Sequence, residues 1–405
     1  MDTEDIVFPK SLTIIGNGFD LSLGAKTSYE CFYNCLKDCF ESDDINAFRS
    51  KYLNKDNNKD ITAFFDLLKK EKDNYFINYF LRYKKIFGDW VSFEVELTKI
   101  IRSLDLLVMH LNNREDYLIY LSNGASLYLR ILNEVDLMSI INVFPDNKFF
   151  NSGVKSATWM NVEPPVVYFI IKGYEFKNEY DIYKAIADFT QSFPKELFND
   201  LNIFSNLFSL YLLIVRDIKN NNISYGAMLN SDYFINYNYT NYLASVIFDK
   251  CCHPLDILYI NGKIDYSSFD TKSRIVFGID SNTKLNNIGF EVFTKTVQRS
   301  LYSTDIERLS DLLCKNIEEI YIFGHSMNLA DYESLSYVFT CAEKNGKPKV
   351  NIYCLNDSAK IDIIINLREI LGSNKFDDYQ RQGYLSFPYS SETITNNNSQ
   401  EATNI

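Results

Sequence analysis

The chain predicts an α/β fold, a mostly parallel sheet with helices on both faces, interrupted by a large helical insertion. Three observations predict it. An apolar run, Leu12-Thr13-Ile14-Ile15, ends in Gly16-Asn17-Gly18-Phe19-Asp20. From residue 231 onward short apolar runs alternate with helical stretches. Between the two ends, apolar residues recur at three- and four-residue spacing. Strand-then-helix alternation is the sequence pattern of a parallel sheet with crossover helices.

The first run reads as a short buried strand. A strand closed by Gly-x-Gly is a Rossmann-like feature: the first glycine makes a tight turn and the second lets backbone approach a ligand without a Cβ. Thr27-Ser28 then caps a helix through Tyr29, Phe32 and Cys35-Leu36. Residues 41–60 are polar, with the run Asn54-Lys55-Asp56-Asn57-Asn58-Lys59-Asp60, and read as a surface loop. From 61 to 142 the spacing of Phe64-Phe65, Leu67-Leu68, Phe76, Tyr79-Phe80, Trp90, Phe93, Leu97 and Ile100-Ile101 predicts several helices. Pro164-Pro165 precedes a candidate strand, Val166–Ile171, and Pro194 suits an early position of a long helix reaching about Lys219. Further strands are expected at 233–235, 257–260, 275–277, 320–323 and 350–353, with helices at 240–249, 290–316, 329–344 and 357–371. The expected organisation is a nucleotide-binding domain formed by 1–40 and 231–389, a mostly helical insertion over 41–230 acting as lid or partner module, and a disordered Ser/Thr/Asn-rich tail over 390–405.

Composition bounds the function. The 405 residues carry a net charge of −12, which disfavours general nucleic-acid binding. The N-terminus, Met1-Asp2-Thr3-Glu4-Asp5, has no signal-peptide pattern, and the longest apolar stretch, Leu207 to Val215, is too short to span a bilayer. The expectation is a soluble cytoplasmic protein with no membrane contact. Among eight Cys, Cys31, Cys35 and Cys39 share one helix face, where they read as apolar core residues rather than metal ligands. No metal site is expected, because Cys-x-x-Cys pairs are missing and His is scarce. His110 and His253 read as surface or structural.

Four later segments end strands as the first one does: Asn236-Tyr237-Asn238-Tyr239-Thr240, Asn261-Gly262-Lys263, Phe277-Gly278-Ile279-Asp280, and Phe323-Gly324-His325-Ser326 with Asp331 beyond. One such turn is an ordinary β–α connection. Five together point to a ligand, because open parallel sheets bind at the carboxyl ends of their strands.

Gly16-Asn17-Gly18-Phe19-Asp20, with Thr27-Ser28-Tyr29 and Phe32, resembles the opening signature of the bacterial abortive-infection AbiH proteins. Trp90 followed by Glu94, then Asn238-Tyr239-Thr240, Gly262-Lys263, Phe277-Gly278 and Gly324-His325-Ser326 with Asp331, fall in that family's order over roughly residues 11 to 335. The resemblance implies anti-phage defence by killing or arresting the infected cell. A more distant resemblance is to sirtuin-like NAD-binding domains, without their zinc module. It implies a sirtuin-like sheet, with NAD as substrate or ligand and cleavage of its nicotinamide–ribose bond. On that likeness Asn238, Asn261 and Asp20 are the catalytic candidates. Gly16, Asn17, Gly18, Phe19, Thr27, Tyr29, Glu94, Tyr239, Gly262, Gly278, Asp280, Gly324, His325, Ser326 and Asp331 are the candidates for holding the nucleotide.

Nicotinamide leaves NAD as a neutral group, so the site must hold the ribose, exclude bulk water and place a nucleophile. A base helps, usually His. The sirtuin His position is Asn261 here, and Asn does not titrate near neutrality. Either the chain is a naturally impaired member, or the position has been inactivated, or another group acts, with Asp20, Asp280 and His325 the candidates. The alternative to an NAD-cleaving effector is a module that senses NAD or a related adenine nucleotide. A toxic enzyme needs restraint and release, so a phage-derived trigger protein and a second copy of the chain are the expected partners.

Overall fold

The computed structural model describes residues 10–42, 44–52, 58–82, 90–114, 117–122, 126–131, 150–155, 166–171, 179–216, 223–224, 226–248, 256–264, 275–393 and 395–396. The acidic N-terminus, Pro164-Pro165, Cys251-Cys252, His253 and 397–405 lie outside the described residues.

The strands in chain order are β1 (Lys10–Ile15), β2 (Tyr117–Ser122), β3 (Ser126–Ile131), β4 (Phe150–Lys155), β5 (Val166–Ile171), β6 (Ile223–Ser224), β7 (Tyr233–Asn236), β8 (Asp256–Tyr259), β9 (Ile317–Phe323), β10 (Lys349–Tyr353), β11 (Leu385–Ser386) and β12 (Thr395–Asn396). Six of them form one sheet in the order β11-β10-β9-β1-β7-β8. Every pairing in it is parallel. Counted along the chain, that sheet reads 3-2-1-4-5-6, the order of doubly wound dinucleotide-binding folds. The chain builds outward from β1 through β7 to β8, then returns to the other side of β1 to add β9. The crevice between the carboxyl ends of β1 and β9 is therefore the topological switch point.

Alternation along the strands fixes the two faces. Leu12, Ile14, Ile235, Ile320, Ile322, Val350 and Ile352 point into one core with Leu335, Phe339 and Leu367 of the helices Tyr332–Ala342 and Asp357–Leu371. Ile15, Phe234 and Phe323 face the other way, onto Phe19, Leu243 and Ile247. Both faces are covered, as a parallel sheet requires.

A third core lies beyond the strand ends. It joins the helices Tyr29–Glu41, Asn58–Lys70, Tyr75–Arg82, Trp90–Asn112 and Glu179–Ile214 to Tyr239, Phe277, Phe290 and Phe293 of the sheet's loops. The helical segment and those loops thus share one apolar interior. Phe32 sits at its centre, with ring centroids 5.6 Å from Phe80, 5.6 Å from Phe204 and 4.9 Å from Phe208. Phe32→Ala is expected to cost about 3–5 kcal/mol in urea denaturation, through lost burial and the cavity left behind.

Several elements differ from expectation. Residues 275–277 add no strand: Val276 donates to the Asn261 carbonyl at 2.9 Å, and Gln298 brackets Phe277 through both its N–H and its carbonyl. The 290–316 stretch is divided among helices Lys295–Tyr302 and Leu309–Leu313 and short 3-10 turns, with Ser303 in the left-handed region at φ 50°. Pro194 lies inside the helix Glu179–Ile214 rather than near its start. Within that helix, Tyr183–Ile214 is long and apolar enough to cross a membrane by length and composition. Its Phe193, Leu197, Phe204 and Phe208 are buried in the helical core, the pattern of an interior helix. The segment 41–230 also holds two antiparallel hairpins, β2–β3 and β4–β5. In the range expected as a disordered tail, Ser390–Thr393 forms a short helix and β12 pairs with β6.

Candidate functional site

The switch-point crevice contains a cleft of about 210 Å³. The loop after β1 forms one wall and the loop after β9 the other. Their approach is set by glycine. Gly18 N–H donates to the Gly324 carbonyl at 2.9 Å, and Gly16 N–H to the Phe323 carbonyl at 3.0 Å. A Cβ on Gly16 would lie 2.5 Å from the Gly324 oxygen, and one on Gly18 2.6 Å from the Gly324 Cα. Gly324 itself has φ +66°, which an L side chain rarely adopts. The three glycines therefore interlock two loops. The N–H groups of Gly16, Gly18 and Phe19 all end on protein carbonyls, rather than facing a ligand as the sequence pattern suggested.

Asn238 closes the floor. Its Nδ2 donates to the Gly16 carbonyl at 3.0 Å and to Asp20 Oδ1 at 2.8 Å. Asp20 also accepts from Thr240 Oγ1 at 2.6 Å. With both Nδ2 hydrogens used, the amide orientation is fixed, and Oδ1 is the atom Asn238 keeps for a ligand. Burial pushes the Asp20 carboxyl up to about 7, against the lowering effect of Thr240 and Asn238. Asp20 does not line the cleft; it positions a residue that does.

A buried ionic network forms the remaining wall. Lys295 Nζ lies 2.9 Å from Glu94 Oε1 and 2.8 Å from Asp331 Oδ1, with all three side chains nearly inaccessible. Glu94 comes from the helix Trp90–Asn112, so the insertion reaches the site directly. Burial raises the Glu94 carboxyl, and Lys295 opposes it. Burial would raise Asp331 as well, but Lys295, His325 and Arg299 together hold it well below the usual carboxylate range. Arg299 NH2 donates to Asn261 Oδ1 at 3.0 Å.

His325 is fixed from both sides. Its Nδ1 accepts from Met327 N–H at 3.0 Å, and its Nε2 faces Asp331 Oδ2 at 3.5 Å. Met327 adopts φ 55°, a strained conformation for a side-chain-bearing residue. The imidazole lone pair is thereby occupied, and His325 has none to offer as a base.

The structure brings Gly16, Asn17, Gly18, Glu94, Asn238, Tyr239, Asn261, Gly324, His325, Ser326 and Asp331 together around the cleft. Other candidates stand elsewhere. Phe19 and Tyr29 are core residues, Tyr29 within 5.0 Å of the Phe93 ring centroid and 5.3 Å of that of Phe208. Thr27 donates to Asn17 Oδ1 at 2.6 Å and acts behind that residue. Gly262 serves a turn at φ +77°. Gly278 admits the backbone of Phe293 and Lys295, which a Cβ would meet at 2.8 and 3.0 Å. Asp280 caps its own turn through Asn282 N–H at 2.7 Å and faces a neighbouring cavity. Lys295 and Arg299 were missed. The available signal was two cations four residues apart after the capping residue Thr294, in an acidic chain. Among the described residues no cluster of three or more His, Cys, Asp or Glu could hold a metal ion.

A parallel six-stranded sheet of doubly wound order, with a polar cleft at its switch point, defines the class: a Rossmann-like α/β protein with extensive flanking helices. The family model described as bacteriophage abortive infection AbiH matches residues 12–352, and the chain belongs to that family. Membership supports a general role in phage defence by abortive infection. Comparison with curated proteins and with solved structures gives no match.

Proposed function

We propose that this protein is an abortive-infection effector that binds NAD in the switch-point cleft and hydrolyses its nicotinamide–ribose bond in the cytoplasm of the infected cell. The observation that carries the reading is the cleft's position at the β1–β9 switch point, where doubly wound sheets take nucleotides. The sirtuin likeness of the Gly-x-Gly loop, Asn238 and Gly324-His325-Ser326 supplies the choice of NAD.

The cleft's own groups suit that chemistry. As the C1′–N bond breaks, its electron pair neutralises the pyridinium and nicotinamide departs. The developing oxocarbenium faces the carboxylates of Glu94 and Asp331, which lower its energy electrostatically. Asn238 Oδ1 accepts from a ribose hydroxyl or the attacking water. Water adds to C1′, and its proton passes to Glu94, a carboxylate whose raised affinity for protons suits a base. The products are ADP-ribose, nicotinamide and a proton. Asn261, held by Arg299, is a positioning group here and not a base.

The occupied lone pair of His325 and the amide at 261 favour one second reading, an NAD or ADP-ribose sensor that binds without turnover. A proton-NMR time course of NAD with the purified protein separates the two. Nicotinamide is expected to accumulate and to fall roughly a hundredfold in rate with Asn238→Ala. Binding without nicotinamide release supports the sensor, and no binding of NAD or ADP-ribose refutes both.

A further inference from the structure

Three features of the cleft bear on which part of a nucleotide it can take. First, three amides of the glycine loop are occupied: those of Gly16, Gly18 and Phe19 end on carbonyls of Phe323, Gly324 and Gly16. Second, the lining contains the carboxylates of Glu94 and Asp331 and no lysine or arginine. Lys295 and Arg299 are buried behind those carboxylates, so the acidic ends of the ion pairs face the ligand. Tyr237 and Tyr239 also border the cleft, with their hydroxyls tied to Ser334 Oγ and the Val276 carbonyl. Third, a cleft of about 210 Å³ is smaller than the roughly 300–1,000 Å³ that encloses a drug-sized ligand. It has room for one ring and its sugar, not for a dinucleotide.

We infer that the cleft recognises the cationic N-ribosyl-pyridinium end of an oxidised nicotinamide nucleotide, and that its glycine loop holds no phosphate. The inference rests on the NAD reading above and narrows it: oxidised and reduced cofactor differ by the charge of the ring placed beside Glu94 and Asp331. The diphosphate then lies outside. Through Glu94 and Asn328 the cleft adjoins an open cavity of about 650 Å³ whose wall includes Lys99 and Arg102. Lys99, paired with Glu96 at 2.5 Å, and Arg102 share that wall with Asp280 and Glu369, and Arg102 suits an anionic chain leaving the cleft.

The test is calorimetric titration of the unmutated full chain with four probes. Carba-NAD carries the pyridinium charge and cannot be cleaved. NADH has a neutral dihydronicotinamide ring, ADP-ribose lacks the nicotinamide ring, and nicotinamide riboside has that ring and its sugar alone. Carba-NAD is expected to bind roughly tenfold or more tightly than NADH and ADP-ribose, and nicotinamide riboside to bind on its own. Glu94→Gln should weaken carba-NAD severalfold more than it weakens ADP-ribose. If NADH or ADP-ribose binds as tightly as carba-NAD, the cation preference is wrong while nucleotide binding stands. If none of the four binds, the NAD reading itself fails.

Discussion

Gly324→Ala is expected to destabilise the protein by about 3–5 kcal/mol and to abolish nucleotide binding. The added Cβ would lie 2.3 Å from the Phe19 nitrogen and 2.6 Å from the Gly18 carbonyl carbon. These are backbone atoms, so no side-chain rotation relieves the clash. The left-handed φ of +66° adds its own penalty for any residue with a side chain. The loops after β1 and β9 would have to separate, breaking the Gly18–Gly324 hydrogen bond and opening the crevice wall. Urea denaturation gives the stability change. A shift below about 1 kcal/mol would show that the two loops are not locked as described. Gly346 and Gly372, whose Cβ positions meet nothing within 4 Å, are the natural controls: they share the positive φ without the clash.

Asp20→Asn is expected to raise stability at neutral pH while lowering turnover. The Asp20 carboxyl is fully buried, and its pKa rises from 3.8 to about 7 on folding. Below about pH 4 it is protonated in folded and unfolded chains alike, and the stability it contributes is fully present. As pH rises towards and through 7, the unfolded chain ionises freely and the folded chain resists, so that stability is lost. About three pKa units correspond to roughly 4 kcal/mol at most. Asn carries no such penalty and can still offer an oxygen to Asn238 and an N–H to Thr240. The variant should match the wild type in acid and exceed it increasingly up to about pH 7. Its turnover should fall roughly three- to tenfold, because Asn238 then donates to a neutral amide oxygen, which holds its orientation less firmly than a carboxylate. Thermal denaturation from pH 4 to 8 checks the first part. A constant difference across that range would mean that Asp20 does not titrate there.

The sheet was legible because its strands are short apolar runs with marked ends. The readings at 233–235, 257–260, 320–323 and 350–353 fall on β7, β8, β9 and β10, and the helix read at 357–371 is Asp357–Leu371. The run 275–277 misled because Ile275 and Phe277 are buried for a different reason: they pack into the helical core beside the site. β11 was not visible, since Leu385-Ser386 carries almost no apolar signal and pairs only at the sheet's edge. Pro194 misled because a proline usually opens a helix, and packing on the helical core overrides that local preference.

The site was legible in outline. Strand ends rich in glycine and asparagine do converge, because a parallel sheet places them on one edge. What they do there was not legible. Gly16, Gly18 and Gly324 meet one another, a relation between residues some three hundred positions apart that no local pattern reveals. Lys295 and Arg299 look like exposed helix cations until tertiary contacts bury them against Glu94 and Asp331.

The most direct test of the central claim is a crystal structure of the full chain grown with carba-NAD. Density is expected in the crevice between Gly16–Gly18 and Gly324–Ser326, with the pyridinium ring beside Glu94 and the ribose hydroxyls near Asn238. Density for the ligand at another place on the protein, with this crevice unoccupied, would contradict it.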